Sequence, residues 1–239
     1  MAGVRISNLA HEFDGREVFR SIDLAYDGSC LAVTGPNGSG KSTLLRILAG
    51  LLTPTSGEAR FVVDGQDAPR ERLRGMIGLA APDVRLYAEL SARENLRFLL
   101  RARGCGEIDE RASSALERVG LCDRGDDRVG ELSSGLRQRA ALAAAIAHDP
   151  VILLLDEPFT GLDFPTVVGL VDILQALRKE RISVFYTTHD RFFVENWAES
   201  VMVLRSGRVV FDGRPDEAMN REDLRQEIGN WEQLKRRIE

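Results

Sequence analysis

The chain has 239 residues, 44% of them hydrophobic and 29% charged, and a net charge of −5. That is an ordinary globular composition, and it excludes the overall basic field that draws a protein to nucleic acid. Cys30, Cys105 and Cys122 show no paired spacing, so neither a cysteine metal site nor a disulfide framework is expected.

Val4, Ile6 and Leu9 predict an edge region of sheet, and Met1 to Asn8 lacks the cationic and apolar pattern of an export leader. Ser29 to Thr34 predicts a short buried strand. The apolar positions Leu44, Leu45, Ile47, Leu48, Leu51 and Leu52 follow helical spacing up to Thr53-Pro54. Phe61-Val62-Val63 predicts a strand closed by Asp64-Gly65. From about Asp83 to His148 the composition turns to Arg, Glu, Ala and Leu with helical periodicity, as in a helical insert. The longest apolar run, Ala140 to Ala147, falls far short of the roughly 20 residues of a membrane helix.

Val151 to Leu155 is a continuous apolar run, expected of a parallel strand buried on both faces. A helix over Pro165 to Lys179, a strand over Ser183 to Thr187 and a helix near Phe192 to Trp197 follow. Strands near Val201 to Leu204 and Val209 to Phe211 come next. Strands alternating with helices predict an α/β core around a parallel sheet. Leu224, Ile228, Trp231 and Leu234 mark a terminal helical stripe, packed on the chain's own core or on a partner.

Between the strand ending at Thr34 and the following helix lies Gly35-Pro36-Asn37-Gly38-Ser39-Gly40-Lys41-Ser42-Thr43, which fits the P-loop pattern in its required context. The glycines let the backbone N–H groups turn inward on phosphate oxygens, and the helix N-terminus adds its dipole. Lys41 supplies a point charge, and the Ser42 hydroxyl can ligate Mg²⁺. Asp156-Glu157-Pro158 ends a buried strand, where open α/β sheets bind ligands. Asp156 would hold Mg²⁺ through water, and Glu157 would act as general base on the attacking water. The alternative, an acidic pair capping the next helix, loses ground beside a P-loop.

Leu132-Ser133-Ser134-Gly135-Leu136-Arg137-Gln138-Arg139 resembles the Leu-Ser-Gly-Gly-Gln-Arg-Gln-Arg signature of ATP-binding-cassette (ABC) ATPases at six of eight positions. The resemblance implies a P-loop NTPase with a RecA-like core, an amino-terminal antiparallel β region and an inserted helical subdomain. It covers an ATPase domain over residues 1–215, with the insert at about 83–148 and a helical tail over 216–239. It further implies that Ser133 and Gly135 touch the γ-phosphate of ATP bound on a second subunit, in a homodimer or heterodimer. Thr160-Gly161-Leu162-Asp163 is similar to the family's D-loop, and His189 in Thr187-Thr188-His189-Asp190 to its switch histidine. Phe13 is similar to the aromatic that stacks on adenine, with ordinary core packing as the alternative.

ATP and Mg²⁺ are the implied ligands, and an integral membrane permease the implied partner, on the cytoplasmic face of the inner membrane. A non-transport ATPase of the same superfamily, in DNA repair, chromosome maintenance or translation, is the rival reading. A regulatory switch without turnover is disfavoured by Glu157. Two departures stand out: Ser134 and Leu136 replace a glycine and a glutamine of the signature. At the core–insert junction Pro82 also falls where the family carries a glutamine, leaving Asp83 as the nearest replacement. The junction and the signature look most like exporter-type cassettes, including those similar to haem-exporter subunits.

Overall fold

The computed structural model describes residues 2–69, 72–82 and 86–224. It opens with β1 (Ala2–Phe13) and β2 (Arg16–Tyr26), an antiparallel pair joined at Asp14-Gly15. Both turn residues have positive φ, +49° and +77°, the mirror-image turn whose twist matches that of paired strands. Then come β3 (Cys30–Thr34), α1 (Lys41–Leu48), β4 (Ser56–Val63), β5 (Gln66–Asp67), α2 (Leu73–Met76) and β6 (Ile77–Ala80). Three helices follow, α3 (Ala92–Ala102), α4 (Ile108–Arg118) and α5 (Ser134–Ile146). The chain returns through β7 (Ile152–Leu155), α6 (Phe164–Lys179), β8 (Ser183–Thr187), α7 (Arg191–Trp197), β9 (Ser200–Arg205), β10 (Arg208–Gly213) and α8 (Pro215–Asn220).

Two sheets result. One is antiparallel, in the order β2-β1-β4-β5. The other runs β10-β9-β3-β8-β7-β6, with all neighbours parallel except the β9–β10 hairpin. Alternation along each central strand divides its side chains between two cores. Cys30, Ala32, Leu153 and Leu155 face a core shared with α3 to α6. Leu31, Val33, Ile152 and Leu154 face a second core with α1 and the antiparallel sheet. There Phe61 of β4 stacks on Phe185 of β8, centroids 5.9 Å apart and planes 10° apart. Each such ring, fully removed from water, contributes about 2–3 kcal/mol.

The expected α/β architecture is present, with three differences in detail. β1 is not an edge, since β2 and β4 flank it on both sides. The helix after the P-loop stops at Leu48 rather than reaching Thr53, because Gly50 adopts φ +70°. The Leu51 N–H then bonds back to Arg46 O at 2.9 Å, closing the helix, and Leu51 is left 63% exposed. The tail expected from 216 begins inside α8, and Leu224 is buried in the core; Ile228, Trp231 and Leu234 lie outside the described residues. Ser91 opens α3 in a reciprocal cap with Glu94. Asn95 behind it holds the Tyr87 backbone through both its amide groups, at 2.7 and 3.0 Å. Among the described residues no helix is long and apolar enough to cross a membrane.

His148, just beyond α5, is buried, and its Nε2–H donates to Ile77 O at 3.0 Å. Burial, with the Arg103 charge assisting, lowers its pKa from the ordinary 6.5 to about 4. The unfolded chain therefore takes up this proton first as pH falls, and stability is lost between pH 6.5 and about 4. Urea unfolding across that window should show a loss of about 3 kcal/mol from this group. The loss should shrink in a His148→Gln variant; an unchanged acid slope there would assign it elsewhere.

Candidate active site

β3 ends at Thr34 and α1 begins at Lys41, so the P-loop bridges the carboxyl end of a central strand and a helix N-terminus. Its curl depends on glycine: Gly35 has φ +144°, and a Cβ there would lie 2.0 Å from Leu204 O. Gly38 and Gly40 follow at +80° and +102°. Lys41 is buried, and its Nζ donates to Gly35 O at 2.8 Å and Pro36 O at 3.2 Å. An ammonium has three protons, so one remains for a ligand. Burial lowers the Lys41 pKa, opposed by the nearby charges of Glu157 and Asp156.

β7 delivers Asp156 and Glu157 to the same end of the sheet. Asp156 is buried, and its Oδ1 accepts from Ser42 Oγ at 3.0 Å and from Thr187 Oγ1 at 2.6 Å. Glu157 takes φ +51°, and its N–H donates to Thr187 Oγ1 at 2.8 Å. Its Oε2 is held by His189 Nδ1 at 2.8 Å and by Thr160 Oγ1 at 3.0 Å. P-loop, acidic pair and His189 thus form one connected group. Thr160 and Thr187 were not singled out from the sequence as site residues. Their signal was position alone, a hydroxyl in the turn after the acidic pair and another at the end of the adjacent strand.

A cleft of about 640 Å³ is lined by Phe13, Arg16, Glu17 and Val18 of the antiparallel sheet, by Asn37, Gly38, Gly40, Lys41, Ser42 and Thr43, and by Glu157. Phe13 is 45% exposed at this wall, so it is not the core residue of the alternative reading. Its ring stands perpendicular to that of His11, centroids 4.5 Å apart. Gly35, Pro36 and Ser39 shape the loop without lining the cleft.

Asp156 and His189 lie outside this lining, joined to it through Ser42 and Glu157, and Ser133, Gly135 and Asp163 do not line the cleft either. Ser133 caps α5, accepting from Leu136 N at 3.4 Å, and Asp163 caps α6, accepting from Thr166 N at 3.3 Å. Ser134 is helical and its φ is not positive, so serine costs nothing there. Leu136 packs on the helical core, which explains an apolar residue in place of glutamine. Pro82 lies just beyond β6, and Ala80 pairs with Leu155, so it stands at the sheet end that carries the acidic pair. Asp83 lies outside the described residues.

The donor set fits a magnesium nucleotide. Ser42 spends its proton on Asp156 and keeps its oxygen lone pairs beside that carboxylate, two hard oxygen ligands side by side. A family model described as "ABC transporter" matches residues 21–160, more than half of the chain. The chain belongs to the ABC transporter family. The sulfate/thiosulfate import ATP-binding protein CysA of Synechococcus elongatus is 37% identical over 220 residues, 90% of this chain and 63% of that one. The energy-coupling factor transporter ATP-binding protein EcfA of Methanothermobacter thermautotrophicus is 35% identical over 232 residues, covering 92% of this chain and 74% of its own length.

Among solved structures, cbiO1 of Clostridium perfringens, part of the ABC transporter complex cbiONQ, matches with a TM-score of 0.77 at 31% identity. That match covers 92% of this chain and 91% of cbiO1. The ABC chain spans less than two thirds of the sulfate/thiosulfate relative. It is an ATP-binding, ATP-hydrolysing subunit with the family's α/β fold. None of these three names is that of a haem exporter.

Proposed function

We propose that this ABC subunit works in a dimer, homomeric or heteromeric, that hydrolyses ATP to drive transport through a separate integral membrane permease. One observation carries the dimer. The cleft gathers the P-loop and Glu157, while the signature residues Ser133 and Gly135 lie outside it. A second copy presenting its Ser133, Gly135 and Asp163 would close the site over the nucleotide.

In this reading Phe13 stacks on the base, and Lys41 with the loop N–H groups carries the charge that builds on the phosphate oxygens. Ser42 and Asp156 would hold Mg²⁺, which when bound neutralises phosphate charge. Glu157 keeps Oε2 on His189 and Thr160 and accepts the proton of the attacking water at Oε1. His189 couples the base to the γ-phosphate end of the cleft. Catalysis is then positioning and charge stabilisation. The subunit would sit peripherally on the cytoplasmic face of the inner membrane and bind no nucleic acid. The two curated relatives are named for different transporters, and we place cargo choice in the permease.

Purification of the tagged chain from its native membranes tests this. An integral membrane protein should co-purify in fixed stoichiometry. Recovery of the ATPase with a nucleic-acid or ribosomal complex instead would favour the non-transport branch.

A further inference from the structure

Thr187 is the last residue of β8 and is completely buried. Its backbone is locked, because Thr187 pairs with Val33 of β3 and the Thr188 N–H donates to Val33 O at 3.1 Å. The hydroxyl has one proton and can accept as well. Both capacities are used on the acidic pair, the proton on Asp156 Oδ1 at 2.6 Å and the oxygen on the Glu157 N–H at 2.8 Å.

These two bonds do different things. Asp156 Oδ1 has two donors, Ser42 from the P-loop and Thr187 from the neighbouring strand. Ser42 lies in the first turn of α1, whereas Thr187 ends a strand paired on both sides within the sheet. With Oδ1 spoken for by a rigid donor, Oδ2 is the oxygen left to face a cation. The second bond catches an N–H just past the end of the β7 ladder, at a residue whose φ of +51° is uncommon for a side chain with a Cβ. Holding that peptide sets the direction in which the Glu157 side chain leaves the strand.

We propose that Thr187 is a positioning residue for this site, one hydroxyl that orients both the metal-holding carboxylate and the general base. The inference rests on the reading of Asp156 and Glu157 proposed above. A group that orients a metal ligand without touching the metal is worth about ten- to a hundredfold in metal affinity or activity.

Thr187→Val keeps the shape and removes the hydroxyl. The first measurement is Mn²⁺ binding in the presence of a non-hydrolysable ATP analogue, read by electron paramagnetic resonance. Half-saturation should rise about tenfold in Thr187→Val and stay within about twofold of wild type in Thr187→Ser. The Mg²⁺ needed for half-maximal turnover should move in parallel, while metal-free nucleotide binding, read by fluorescence, stays constant. If the valine chain does not fold, Thr187→Ala against Thr187→Ser makes the same comparison. Wild-type Mn²⁺ binding without the hydroxyl overturns the proposal, and so does an equal loss in Thr187→Ser, which would assign the effect to packing of the methyl group. Asp156→Asn separates the two levels. If it leaves Mn²⁺ binding intact, the assignment of Asp156 fails; if it abolishes binding while Thr187→Val does not, only the role of Thr187 fails.

Discussion

Lys41→Ala should lower ATP turnover to less than about a tenth of wild type, because taking one charged donor out of a shielded site costs several kcal/mol of transition-state stabilisation. The sequence alone assigns Lys41 to phosphate charge. The structure adds that the side chain is buried and ties Gly35 O and Pro36 O together. Alanine therefore removes the cation and leaves two loop carbonyls without their donor. Each is a bond of about 1 kcal/mol, so the melting temperature should fall by a few degrees and the fold should persist. Phosphate release and calorimetry on the same sample separate the two effects. A variant that keeps more than a tenth of wild-type turnover would remove the P-loop from the mechanism.

Glu157→Gln should trap a dimer in the presence of ATP and Mg²⁺. The amide oxygen can occupy the place of Oε2 and keep the bonds from His189 and Thr160. What it cannot do is accept the water's proton, a contribution of about 10²–10⁴-fold. Binding then proceeds and reopening stops. Size exclusion with light scattering reads the outcome directly. A strictly monomeric profile at high protein and ATP concentration would contradict the trans-acting role given to Ser133 and Gly135.

Much of the parallel core was legible because its strands are continuous apolar runs bounded by glycine and acidic residues. Ile152 to Leu155 and Ser183 to Thr187 emerged with nearly their observed limits. β2 was missed, although Phe19, Ile22, Leu24 and Tyr26 are buried at mostly alternate positions behind an Asp-Gly turn. Its outward residues are mostly charged, and a strand with one wet face gives a weaker signal than a helix of equal length. β6 was missed because four residues are too few for any period to show. At the site, the P-loop and acidic pair were legible as contiguous patterns. Thr160 and Thr187 were not, since their roles arise from the pairing of β7 with β8 and from one turn, neither of which is written locally.

Glu157 also bears on how this position drifts under selection. A left-handed backbone costs a residue with a Cβ about 1–2 kcal/mol, a cost that glycine escapes and asparagine largely does. A population of variants screened for heat resistance alone would gather Gly or Asn at position 157 and lose the carboxylate. Seven other described non-glycine residues share a positive φ, Glu107 at +53° among them, and of these eight Glu157 is the one assigned to turnover, so here the exchange would trade activity for robustness. Thermostabilised versions of this subunit have to leave the Glu157 torsion untouched.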